Sequence, residues 1–161
     1  MQNNDTTLTN ANPRVYTGVD TFDELRIDSD VFVDKSLFIQ EFLEGSVGKV
    51  TLITRPRRWG KTMNMDMLQR FLAIEVDEQG NPLPREQCHN HKLFVGGEVA
   101  LEFGESKMLK PLKITNYPAL MKRQGQYPVI SIGFKDVTSS TYESIEIKIR
   151  TQIGRLYRHH R

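Results

Sequence analysis

"KVTLITRPRRWGKTMNMDMLQRFL" (residues 49–72) changes its period halfway along. The opening residues are β-branched and apolar, the composition of a buried strand. After the turn, Met63, Met67, Leu68, Phe71 and Leu72 share one face at helical spacing, and Ile74 extends it. Between the two lies a basic turn ending in Gly60, Lys61 and Thr62. The phosphate-loop pattern G-x-x-x-x-G-K-[ST] asks for a second glycine where this chain has Arg55. From average residue usage, Gly-Lys-[Ser/Thr] arises by chance in about one chain in twelve of this length. Three residues therefore decide little, and their setting decides more. A strand leading in and a helix starting at the lysine aim first-turn N–H groups and the positive end of the helix dipole at a bound anion. In that arrangement Gly60 admits the phosphates, Lys61 reaches the β- and γ-phosphates, and the Thr62 hydroxyl completes a Mg²⁺ shell. The plainer alternative is an exposed basic turn whose Gly60 merely opens a helix.

Arg55 has a reason of its own. Pro56 follows it and holds it extended, so the loop leaves its strand without the turn that a leading glycine relieves. Arg57 and Arg58 sit inside the loop, where a guanidinium pairs with phosphate, stays solvated, or faces a nucleic acid. Trp59 is expected to pack the loop against the sheet, with stacking as the alternative.

Outward from this stretch, the chain has 161 residues, enough for one domain with a real core. Its 22 Lys and Arg nearly balance 20 Asp and Glu, so net charge does not argue for nucleic acid. No apolar run reaches the roughly 20 residues of a membrane helix. The first residues lack the basic and apolar regions of a secretory signal. The single Cys88 rules out an internal disulfide framework and suits a reducing cytoplasm, where we expect the protein.

Residues 1–13 are rich in Asn and Thr and are expected to form a disordered tail, leaving 14–161 as the folded part. Residues 31–33 suggest a short strand. From Ser36, Phe38, Ile39, Phe42 and Leu43 recur at helical spacing until Gly45, and Asp34 is placed to cap that helix. Residues 76–91 are expected to form a polar loop, and 94–117 a mixed region with short elements. Residues 127–134 give a second strong strand, and Ile145, Ile149, Ile153 and Leu156 mark a terminal amphipathic helix. Strand, helix, strand, helix points to an α/β fold with a parallel sheet.

With "RPRRWGKT" (Arg55, Pro56, Arg57, Arg58, Trp59, Gly60, Lys61, Thr62) assembled, the chain resembles the predicted AAA-ATPase-like family of bacterial P-loop proteins. That family's loop reads Arg-Pro-Arg-Arg-aromatic-Gly-Lys-[Ser/Thr]. "FVDKSLFIQEFLE" (residues 32–44) and "YPVISIGFKDV" (residues 127–137) resemble its Val-Asp-Lys-[Thr/Ser] segment and its Tyr-Pro-Val strand. The resemblance implies a partial AAA-like three-layer sandwich and an ATP site using Mg²⁺, with Lys61 and Thr62 binding and residues 55–60 shaping the loop. Asp34 and Lys35 match family positions too, without an evident role.

Family members often continue into a PD-(D/E)xK nuclease-like domain, and carry an acidic strand end that holds Mg²⁺ and positions water. These residues contain no such segment. Asp136 is the nearest substitute, and it reads as a turn residue. We therefore expect the N-terminal part of a longer NTPase, with weak or absent hydrolysis and an uncovered central strand that promotes self-association. The alternative is a non-catalytic nucleic-acid or protein interaction module with a vestigial loop. Cys88, His89 and His91 fit no zinc spacing. The basic residues of the last helix, Lys148 to Arg161, are accounted for by its dipole.

Overall fold

The computed structural model describes residue 19 and residues 21–45, 50–56, 58–101, 105–135 and 137–159. The expected tail at 1–13, Arg57, Asp136 and Arg161 lie outside the described residues. The elements in order are α1 (Phe22–Asp28), α2 (Leu37–Glu44), α3 (Lys61–Leu72), α4 (His89–Val95), β1 (Gly97–Ala100), β2 (Ser106–Leu109), α5 (Pro118–Met121) and α6 (Tyr142–His159). Short 3-10 turns at Arg85–Gln87 and Lys113–Asn116 join them.

The core is built mainly from helix faces. The expected stripe of α3 buries Met67, Leu68 and Phe71, while Ile74 falls beyond the helix and is exposed. Phe71 meets the Phe94 ring of α4 edge-on at 5.2 Å, and Phe22 of α1 stacks on Phe94 at 5.3 Å. From α2, Ile39 is fully buried. Arg26 of α1 is also buried, because its donors reach main-chain carbonyls: Nε to Leu93 at 3.0 Å and Nη2 to Lys110 at 2.7 Å. That pairing lets a cation sit in a core, with its guanidinium over the Phe32 ring.

The sheet departs from expectation. Among the described residues it has two antiparallel strands, β1 and β2, in register from Gly97 opposite Leu109 to Ala100 opposite Ser106. This hairpin falls in the region expected to hold only short elements. Gly96 turns the chain from α4 into it at φ 80°, where an added Cβ would lie 2.5 Å from the Leu109 carbonyl oxygen. The parallel three-layer sheet is not formed among the described residues. Residues 31–33, 50–54 and 128–134 carry the expected strand composition but join no ladder. Parallel pairing is confined to one bridge, Ala73 with Tyr127, where Ile74 N donates to the Tyr127 carbonyl at 3.1 Å. No strand lies alongside them among the described residues, and a sheet needs one. Val50 and Leu52 are consequently 82% and 83% exposed, and Ile130 is 67% exposed. Helix α6 forms as its periodicity predicts, yet none of its residues from Tyr142 to Arg158 is buried. No helix among the described residues is long and apolar enough to cross a membrane.

Candidate functional site

The basic turn does open a helix. Arg58 and Gly60 both take left-handed backbone angles, φ 66° and φ 70°, and Gly60 is the N-cap of α3. Glycine adopts that region freely, whereas for a residue such as arginine it costs about 1–2 kcal/mol. Strain of that kind persists where the surrounding structure imposes it, and it clusters at ligand sites. No side chain caps α3 and its first turn holds no acidic residue. Its first-turn N–H groups therefore have no partner within the helix.

Lys61 folds back across the loop, and its Nζ donates to the main-chain carbonyl of Arg55. Arg55 thus serves the loop through its backbone, and an arginine supplies that as well as a glycine. Thr62 lies beside Lys61 on the wall of an open cleft of about 1220 Å³. A hydroxyl there fits one position in a Mg²⁺ shell whose other oxygens come from phosphates and water. Lys35, Arg58 and Lys61 line the same cleft, and no carboxylate does so among the described residues. Val31, Phe32 and Val33 give the same cleft apolar lining. Trp59 also lines the cleft and is 60% exposed, which corrects the expectation that it packs the loop against a sheet. With no strand ladder beneath the loop, its indole has no such surface to cover.

The segment before α2 has more structure than capping alone. Asp34 Oδ1 accepts the Ser36 N–H at 2.8 Å, and Oδ2 accepts the Lys113 N–H at 2.7 Å. The buried Ser36 hydroxyl accepts the Ile114 N–H at 3.1 Å. Burial pushes the Asp34 carboxyl up, but the Lys113 and Ser36 hydrogen bonds outweigh it and hold it below the ordinary carboxylate range. Between these two clamps, the Lys35 ammonium lies 4.0 Å from where a Cβ on Gly60 would sit. Sequence reasoning left Lys35 without a role, and its only signal was the Val-Asp-Lys-Ser spelling.

Cys88, His89 and His91 each go to a separate partner. His89 Nε2 and Asp23 Oδ1 are 2.8 Å apart, His91 Nδ1 and Gln124 Oε1 are 2.7 Å apart, and Cys88 Sγ approaches the Pro84 carbonyl at 3.4 Å. Hydrogen bonding to His89 holds the Asp23 carboxyl below its ordinary value, and the same bond raises the His89 imidazole. These contacts tie α4 to its neighbours.

No curated protein matches the chain, and no solved structure does. Residues 16–89, which contain α1, α2, the whole loop and α3, match the family model described as predicted AAA-ATPase.

Proposed function

We propose that the chain binds ATP with Mg²⁺ at the start of α3, and hydrolyses it weakly or not at all by itself. The observation that carries this reading is an uncapped helix start, with Lys61 beside it, opening on a cleft that no carboxylate lines among the described residues. Such a site attracts an anion and offers it backbone donors, helix dipole and ammonium charge together. Lys61 exchanges the Arg55 carbonyl for the β- and γ-phosphates, and N–H groups from Trp59 to Thr62 cradle the β-phosphate. Thr62 contributes one oxygen to Mg²⁺, which neutralises phosphate charge when bound. The choice of adenine rests on the family. The expectation of slow hydrolysis rests on the family's acidic strand end, which has no counterpart among the described residues lining the cleft. Arg58 faces this cleft, so its charge is assigned to the nucleotide rather than to a nucleic acid.

The parallel P-loop sandwich belongs to the same proposal. Residues 50–54 and 128–134 have strand-like apolar composition and join no ladder among the described residues, as strands awaiting neighbours would. Such edges favour self-association, so we expect light scattering behind size exclusion to give a mass above 18.6 kDa. A clean monomer at micromolar concentration speaks against it.

The nucleotide reading is tested by titrating a fluorescent ATP analogue into the full chain. We expect Lys61→Ala to weaken binding about 30-fold or more, the loss of charge-assisted contacts to phosphate. Lys61 is exposed, so the fold should be unaffected. Equal affinity in the two proteins would sink the proposal.

A further inference from the structure

We infer that Lys35 is a second phosphate ligand, reaching the terminal phosphate from outside the loop and favouring a nucleoside triphosphate over a diphosphate. The inference rests on the nucleotide reading above and adds a specificity-determining residue to it.

Lys35 is held in place by its neighbours. Asp34 and Ser36 both spend their side chains on the backbone N–H groups of Lys113 and Ile114. The residue between them cannot shift along the chain without breaking one of those bonds. This fixed position puts the Lys35 ammonium beside Gly60, 4.0 Å from the site of an added Cβ. Two other lysines have acceptors: Lys61 has the Arg55 carbonyl, and Lys107 Nζ has the carbonyls of Ile27 and Ser29. Lys35 has no hydrogen-bond or ion-pair partner among the described residues. Its charge adds to those of Lys61 and Arg58 in one cleft, which no carboxylate lines among the described residues. Like charges gathered this way repel until an anion enters.

The element that carries Lys35 decides which phosphate it meets. Backbone donors and Lys61 come from the loop and the helix start, and they hold the β-phosphate and one side of the γ-phosphate. Lys35 comes from the turn before α2 and approaches the loop at Gly60 from outside it, so it is assigned the end of the phosphate chain. The terminal phosphate carries the charge that the cradle leaves least neutralised.

The experiment compares the affinity of Mg·ATP and Mg·ADP for the full chain in wild type, Lys35→Met, Lys35→Arg and Lys61→Ala, by calorimetry. Lys35→Met keeps the aliphatic stem and removes the charge, and Lys35 is exposed, so thermal melting should be unchanged. We expect Lys35→Met to lose about tenfold for ATP and less than threefold for ADP, the range for a charged hydrogen bond. Lys35→Arg should recover most of the loss. Wild-type affinity for ATP in Lys35→Met, with Lys61→Ala impaired, overturns the Lys35 assignment and leaves the nucleotide site standing. Equal losses for ATP and ADP overturn the terminal-phosphate assignment. A wild-type chain that binds neither nucleotide overturns the parent reading, and this one with it.

Discussion

Helices α1 and α3 pack against each other, and their N-termini are finished in opposite ways. At α1, the Thr21 hydroxyl accepts the Glu24 N–H at 3.3 Å, and Asp23 and Glu24 occupy the first turn. A carboxylate from α3 itself, Asp66, accepts the Phe22 N–H at 2.7 Å. Helix α4 repeats the pattern, since the Glu75 carboxylate accepts the N–H groups of His89 at 3.1 Å and Asn90 at 2.8 Å. Helix α3 has neither cap nor acid, and the charges near its start are ammonium groups and a guanidinium. Carboxylates at helix starts stabilise them, typically by 0.3–1 kcal/mol at exposed sites. At α1 and α4 a carboxylate meets the helix start, whereas at α3, whose start opens on the cleft, none lines it among the described residues. A resident carboxylate would compete with phosphate for the same N–H groups, so the difference has the form an anion site requires.

The sharpest way to break this comparison is to give α3 what α1 already has. Thr62→Asp places a carboxylate in its first turn, and we expect opposite signs in two measurements. ATP binding should fall by about a hundredfold, through repulsion between the carboxylate and the phosphates, while urea stability rises by about 0.5 kcal/mol. Binding that survives the substitution would mean that the nucleotide does not use this helix end.

The converse change strips α1. Asp66 also holds Arg70 Nε at 2.9 Å, so Asp66→Asn removes a charged acceptor from two donors. We expect a loss of about 1–2 kcal/mol in urea denaturation. A midpoint within error of wild type would show that α1 does not depend on it.

A smaller effect lies in the Asp23–His89 contact between α1 and α4. The Asp23 carboxyl is depressed in the folded chain, so its contribution is present above the ordinary carboxylate value and is lost as pH falls through the lowered one. The His89 imidazole is raised, so its contribution is complete below about pH 6.5 and is lost as pH rises through the higher value. The pair therefore contributes most between about pH 4 and pH 6.5. His89 is 45% exposed, so solvent screening keeps the effect below about 1 kcal/mol. Asp23→Asn should flatten the stability profile between about pH 6 and pH 8, whereas an unchanged profile there would remove the pair from the account.

What the sequence revealed follows from how local each signal is. Helices α2, α3 and α6 were legible because a period of 3.6 residues needs no distant partner. Helix α4 reads as polar loop because only Leu93 and Phe94 of its seven residues are buried, and α1 is as short. The segments at 50–54 and 128–134 show the other limit. β-Branched composition reports a conformation, but a sheet needs a neighbour, and none is described beside them. The same holds within the site. Gly60, Lys61 and Thr62 announce themselves by spelling. The placement of Lys35 depends on Asp34 reaching Lys113, 79 residues further along, which no local pattern encodes.

The central claim is that a nucleotide occupies the cleft at the start of α3, and Trp59 reports on it directly. It is the chain's one tryptophan, exposed on the cleft wall within the loop itself. Titrating Mg·ATP into the full chain while following Trp59 emission should give a saturable change that Lys61→Ala shifts to far higher concentration. Emission that stays flat through ATP concentrations at which calorimetry records binding would place the nucleotide elsewhere and contradict the account.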